Sequence, residues 1–170
     1  MIKLFIICGL PGSGKTTLAN ELSKTLKIAC FHKDSIKEQI YESMQLSSLE
    51  DSMNIGKHSI NILISLAEEQ LKNGVDIIIE APFQFVQDYL IFQNWINKYN
   101  ISLYSIICQI STKEREARFH NRQRHIAHHD DERGYDDGDD SCYNQLPGKI
   151  IRVQTDLPIT QLIDNILEQI

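Results

Sequence analysis

The sequence predicts an α/β sandwich on a mostly parallel five-stranded sheet. Three observations predict it. Short apolar runs alternate with helical patterns along all 170 residues. The runs at 2–8, 75–79 and 103–110 are almost continuously apolar, as strands covered on both faces must be. The first run ends directly in Gly9-Leu10-Pro11-Gly12-Ser13-Gly14-Lys15-Thr16, which has the spacing of a phosphate-binding loop between a strand and a helix.

Strand one is Ile2 to Cys8, and the loop follows without a break. Its glycines let backbone N–H groups turn inward around an anion, and the next helix adds its positive end. Gly9, Pro11, Gly12, Ser13, Gly14, Lys15, Thr16 and Thr17 are therefore the candidate nucleotide contacts. Lys15 would reach the β- and γ-phosphates, and the Thr16 hydroxyl would help hold Mg²⁺. An ordinary glycine-rich turn is the bland alternative, and it leaves the register of eight positions unexplained. The helix runs to about Leu26, with Leu18, Leu22 and Leu26 on one face.

Ile28 to Phe31 reads as a short second strand, and a helical pattern begins at Ile36. Asp34 lies between them. It has two readings: a helix cap, as for Ser35, or a carboxylate facing the crevice beyond the strand ends, where it would take a proton from an attacking hydroxyl. A long helix spans Leu49 to Lys72, with Lys57 and His58 read as scaffold and Asn73-Gly74 as its stop. Strand three, Val75 to Ile79, ends in Glu80. An acid there binds Mg²⁺ through a water or orients substrate, and its role stays open between the two. Phe83 reads as core and Phe85 as pocket wall. The helix from Val86 to Tyr99 carries an aromatic stripe of Tyr89, Phe92 and Trp95 that reads as core, and Leu103 to Ile110 is strand four.

Ser111-Thr112-Lys113-Glu114 reads as a capping pattern that opens another helix. The six arginines of the chain are unevenly placed: Arg115, Arg118, Arg122, Arg124 and Arg133, then Arg152, with none earlier. Helical spacing would set Arg115, Arg118 and Arg122 on one face, either as a solvated surface or as cations for phosphate. His125, His128 and His129 lack the second half of a zinc site and read as part of a mobile lid segment. The acidic stretch 130–140 reads as flexible. Lys149 to Val153 is strand five, and Ile159 to Ile170 closes the chain as a helix.

The totals exclude other classes. Seventeen Lys and Arg against 23 Asp and Glu give a net charge of −6, which leaves no whole-chain positive field for general nucleic-acid binding. Four scattered cysteines, none in CxxC spacing, fit a reducing compartment rather than a disulfide framework. No run approaches the ~18 apolar residues of a membrane span. A cytoplasmic protein with no membrane partner is expected.

The sequence resembles the small P-loop kinases of the AAA_33 type, a group related to chloramphenicol phosphotransferase, zeta toxins and polynucleotide kinase domains. The resemblance rests on Gly9 to Thr17, on Lys33-Asp34-Ser35-Ile36-Lys37, on Arg118-Phe119-His120-Asn121-Arg122 and on Arg124-His125-Ile126-Ala127-His128. It implies a P-loop three-layer sandwich over 1–170, with sheet order 2-3-1-4-5, helices on both faces and a lid after strand four, at about 112–145. It implies that Asp34 is the catalytic base and that Arg118 and Arg122 are lid arginines covering the nucleotide. Glu80 stands where the group usually has Asp, and the acidic stretch departs from its compact lids.

The expected function is ATP-dependent transfer of the γ-phosphoryl group to a hydroxyl of a small molecule. ATP and Mg²⁺ sit on the loop with Thr16 and Glu80. Lys15, Asp34, Arg118, Arg122 and Arg124 are the catalytic set. The absence of Arg between residues 32 and 100 favours an acceptor without its own phosphate. The alternatives are a nucleoside or polynucleotide kinase, and a regulatory ATP-binding module without turnover.

Overall fold

The computed structural model describes residues 1–133 and 138–170; Gly134 to Asp137 of the acidic stretch and the side chain of Arg133 lie outside the described residues. Five strands, β1 (Lys3–Cys8), β2 (Ala29–His32), β3 (Ile77–Glu80), β4 (Ser102–Gln109) and β5 (Lys149–Gln154), form one parallel sheet in the order β2-β3-β1-β4-β5. The helices are α1 (Lys15–Leu26), α2 (Lys33–Ser43), α3 (Leu49–Lys72), α4 (Val86–Tyr99), α5 (Thr112–Asn121), a one-turn α6 (Asp130–Arg133) and α7 (Ile159–Leu167).

The alternation along β1 separates the two cores. Leu4, Ile6 and Cys8 point to one face, where Leu63, Ala67 and Leu71 of α3 and Phe92 and Trp95 of α4 cover them. Phe5 and Ile7 point to the other, under Leu18, Ala19 and Leu22 of α1 and Leu162, Ile163 and Ile166 of α7. Full burial of one such side chain contributes about 1.5–3 kcal/mol, so both faces must be covered for the sheet to persist. This is the three-layer sandwich with the expected strand order.

Strand β3 begins two residues later than expected and ends one residue later. Val75 is exposed, while the strand runs through to Glu80. Asp76 stays at the far end of the sheet, where its carboxylate accepts the Lys3 amide at 2.8 Å. Helix α2 begins three residues earlier than expected, with His32 at the position before it and no side-chain cap, so neither Asp34 nor Ser35 is its cap. Phe83 is core, but Phe85 is solvent-exposed rather than pocket wall, because it is the residue before α4 and faces outward. Ser111 caps α5 through the Glu114 amide, as its sequence pattern requires.

The acidic stretch is not uniformly loose. Its described part includes α6 and Gly138 to Asp140, then a 3-10 turn at Ser141–Gln145 that buries Tyr143 completely. The carboxylate of Asp140 accepts a hydrogen bond from Gln109 at the end of β4.

Candidate active site

The ends of all five strands converge on the loop after β1. This strand lies between β3 and β4, so the loop sits where the connections diverge to opposite sides, the usual ligand position in such sheets. Gly9 and Gly12 have φ of 142° and 83°. A Cβ on Gly9 would lie 2.5 Å from the Cys108 carbonyl, and one on Gly12 would lie 2.7 Å from that of Arg115. Only glycine fits either place. Helix α1 has no side-chain cap and no acid in its first turn, which leaves its amides open to an anion. Lys15 folds back, its Nζ donating to the Leu10 carbonyl at 3.1 Å.

The end of β5 fixes this loop. Thr155 Oγ1 lies 2.8 Å from the Ser13 carbonyl and 3.2 Å from that of Gln109. Arg118 extends from α5 and donates to the Thr155 carbonyl at 2.9 Å. Between them lies a cleft of about 340 Å³ lined by Gly14, Thr17, Leu18, Leu157, Ile159 and Leu162. Sequence reasoning left Thr155 in a nameless loop; its place just beyond a parallel strand was the available signal.

On the other flank, a cavity of about 360 Å³ brings Lys15, Asp34, Glu80, Arg122 and Arg124 together, with Lys33, Gln84 and His128. Glu80 is buried and lies opposite His32 in the β2–β3 register. His32 Nδ1 and Glu80 Oε2 are 3.0 Å apart, and Thr16 Oγ1 donates to the same oxygen at 3.3 Å. Hydrogen bonds to Cys30 and then Glu80 raise the His32 pKa from 6.5 to about 10, so it carries charge at neutral pH. His32 was missed in the sequence because no motif marks it. Cys30, the first of those partners, is half-buried.

Thr16 and Glu80 thus place two oxygens side by side next to Lys15. That is the donor type a hard divalent cation requires, and the residues fit Mg²⁺.

Asp34 is gripped by Lys33 at 3.2 Å and by Arg124. Burial opposes its ionisation most strongly, but Lys33, Arg124 and His128 together hold its carboxyl well below the usual carboxylate range. Arg124 also meets Asp130 Oδ1 at 3.1 Å, and Arg122 meets Asp130 Oδ2 at 3.4 Å.

The arginines do not share one helix face. Arg115 is buried, with its guanidinium toward the Gly138 carbonyl. Arg118 is exposed on the β5 flank, and Arg122 lies past the end of α5, its guanidinium 4.6 Å from the Phe119 ring centre. The three candidates instead form a series. Arg118 lines the β5-side cleft and the mouth of the loop, Arg122 lines that mouth and the Asp34 cavity, and Arg124 lines the Asp34 cavity but not the loop mouth. Two arginines from beyond residue 120 therefore line the cavity that holds Asp34. The expectation of an acceptor without phosphate rested on the lack of Arg between 32 and 100, and these two stand at that cavity from outside the range.

The histidines dock this segment onto α2. His128 meets Glu38 at 2.7 Å, His125 meets Glu42 at 3.0 Å, and His129 meets Tyr41 at 2.9 Å. Asp34, Glu38, Tyr41 and Glu42 form one stripe of a helix. Beneath it, buried Lys37 donates to Ser52 at 2.7 Å, and Ser52 donates to the Ala127 carbonyl at 2.6 Å. Among the described residues no group of His, Cys, Asp and Glu is arranged to hold a metal by itself, and no helix is long and apolar enough to cross a membrane.

The profile of the AAA_33 family, described as an AAA domain, matches residues 4–136. Among solved structures, a candidate kinase from Chloroflexus aurantiacus is similar over 99% of this chain and 98% of its own, at 24% identity and a TM-score of 0.82. A sugar kinase from a Janibacter species aligns over 99% and 94% at 16% identity and 0.62. An APS kinase from Mycobacterium tuberculosis, solved with AMPPNP and APS, aligns over 98% and 95% at 13% identity and 0.63. At these identities the likeness is one of fold. No curated protein matches the sequence.

Proposed function

The chain belongs to the AAA_33 family of P-loop kinases, and from that premise we propose that it is an ATP-dependent kinase that transfers the γ-phosphoryl group to a hydroxyl of a small molecule. One observation carries this proposal. Lys15 of the phosphate loop and Asp34 of α2 face the same cavity, so a phosphoryl donor and a hydroxyl acceptor have adjoining places. A binding module has no need of a carboxylate there.

In this reading residues 1–170 form one kinase domain, in which 112–145 is the lid. The loop amides and the α1 N-terminus hold the phosphates, and Lys15 leaves the Leu10 carbonyl for the β- and γ-oxygens. The cleft under Arg118 takes the nucleotide base, the guanidinium lying over its face. Thr16 and Glu80 hold Mg²⁺, which when bound neutralises charge on the β- and γ-phosphate oxygens. His32, paired with Glu80, aims its carboxylate.

Asp34 is a weak base because Lys33 and Arg124 stabilise its anion. It orients the acceptor hydroxyl and receives the proton late, as the bond to phosphorus forms. A loose transition state asks little more of it. Arg122, at the junction of the two cavities, stabilises charge on the group in flight. Closure of the lid excludes water from it. Free thiols and dependence on ATP favour a cytoplasmic location.

The test is a screen of hydroxyl compounds with γ-labelled ATP, scored for labelled products other than phosphate. For a substrate so found, Asp34→Asn is expected to lower transfer by about 10²–10⁴-fold with ATP affinity unchanged. Transfer that survives the substitution removes the assignment of Asp34.

A further inference from the structure

Arg122 and Arg124 are each only about a quarter exposed (27% and 22%), and both bind the single carboxylate of Asp130, itself 24% exposed. Half-buried guanidinium groups need an anion. Here the chain supplies it from α6, a helix of one turn on the segment that follows the arginines. The fit is incomplete. The Arg122 contact is long at 3.4 Å, and its Nε is buried with no hydrogen-bond partner among the described residues. Asp130 offers two oxygens to two forks and Arg124 has Asp34 besides, whereas each fork carries five N–H donors.

The place of this pair matters. Arg124 lies off the mouth of the phosphate loop and on the wall of the cavity that holds Asp34. An anion bound there lies beside Asp34, and so, in the kinase reading, beside the hydroxyl to be phosphorylated.

We propose, resting on the kinase reading above, that the acceptor carries its own oxyanion group, a phosphate or a carboxylate, and that Arg124 and Arg122 receive it where Asp130 now lies. Asp130 is then a tethered stand-in that keeps the arginines ordered and neutralised until the acceptor displaces it. The acceptor has a hydroxyl facing Asp34 and its anionic group toward Arg124. A neutral acceptor would either leave Asp130 in the cavity or displace a charge without replacing it.

Binding and turnover are read separately. First, the protein is saturated with Mg²⁺ and the β,γ-imido analogue of ATP, which fills the loop, and inorganic phosphate is titrated by calorimetry. Phosphate is expected to bind, about tenfold tighter in Asp130→Asn and about tenfold weaker in Arg124→Gln, the size of one charge-assisted contact. Phosphate affinity indifferent to both substitutions overturns the proposal.

Second, a polyol, its monophosphate and its aldonate are compared as acceptors. The anionic members are expected to have at least about tenfold higher kcat/KM. Asp130→Asn should lower KM for them, and the better of the two identifies the oxyanion. The melting temperature of this variant checks the fold. Preferred turnover of the neutral polyol overturns the proposal while the kinase reading stands. Phosphate binding with the expected substitution effects, but no transfer to any acceptor, supports the anion site and removes the kinase reading.

Discussion

On the β4–β5 flank of the phosphate loop, Arg118 meets the uncharged oxygens of Thr155 over a cleft walled by Leu18, Leu157, Ile159 and Leu162. On the β2–β3 flank, Arg122 and Arg124 meet Asp130 and Asp34, with Lys33 and the His32–Glu80 pair alongside. One flank offers a flat apolar slot with a single cation at its rim. The other is a set of mutually neutralised charges. The difference teaches what each side can discriminate. In the kinase reading the slot would select by shape and stacking, and the charged flank by what it must exchange for its internal ions.

The largest expected effect of this set falls on Lys15, which lines the Asp34 cavity and the loop mouth between the flanks. Lys15→Ala should lower phosphoryl transfer by about 10²–10³-fold and weaken triphosphate binding, read by labelled-ATP transfer and by equilibrium titration. If both survive, the two flanks have no common centre and the comparison collapses.

Next comes a contrast between flanks. Arg118→Ala should raise the nucleotide Kd by about tenfold, the scale of a partly desolvated cation over an aromatic face, with acceptor KM unchanged. An equal rise in acceptor KM would show that the cleft does not serve the base alone.

A third prediction sharpens the charged flank through pH. The His32 pKa is raised from 6.5 to about 10, so the folded state binds its proton more tightly than the unfolded chain. Its contribution is complete below pH 6.5 and is lost as pH rises through about 10. Melting temperatures should fall across that window, and His32→Asn should flatten the decline. Asp34 has the opposite sign, since its folded value is lowered: its contribution holds above 3.8 and fades as pH falls below it. A wild-type profile level between neutral and alkaline pH would sink the assignment of a charged His32.

The smallest effect lies under the charged flank. Ser52→Ala removes the hydroxyl between Lys37 and the Ala127 carbonyl and should cost about 1–3 kcal/mol of stability, measured by denaturant unfolding, while Arg118→Ala should cost less. A loss of nucleotide affinity in Ser52→Ala would blur the two flanks.

Much of this was legible in the sequence, and unevenly. Helices 49–72 and 86–99 were legible in outline, because Asn73-Gly74 and the aromatic stripe mark them locally. The loop at Gly9 to Thr16 was legible for the same reason, since its chemistry is contiguous. Arg118, Arg122 and Arg124 were visible as a group but not as a series, because their separation arises where α5 ends at Asn121 and the backbone turns extended at Arg122. Thr155 carried only its place just beyond a strand as a signal, and His32 and Asp130 carried none. Each gains its role from a partner 142, 48 or 8 residues away, joined by the sheet or the turn after α5.

The stripe on α2 has one more consequence. Glu38 and Glu42 are successive teeth, and His128 and His125 mesh with them while Arg124 reaches Asp34 at the head of the rack. The meshing works as a ruler. It fixes how far along the helix the chain after Arg124 is laid down. One residue inserted between Arg124 and His125 would keep every functional side chain and put the scale out of step. Such a variant would lose the site through length alone.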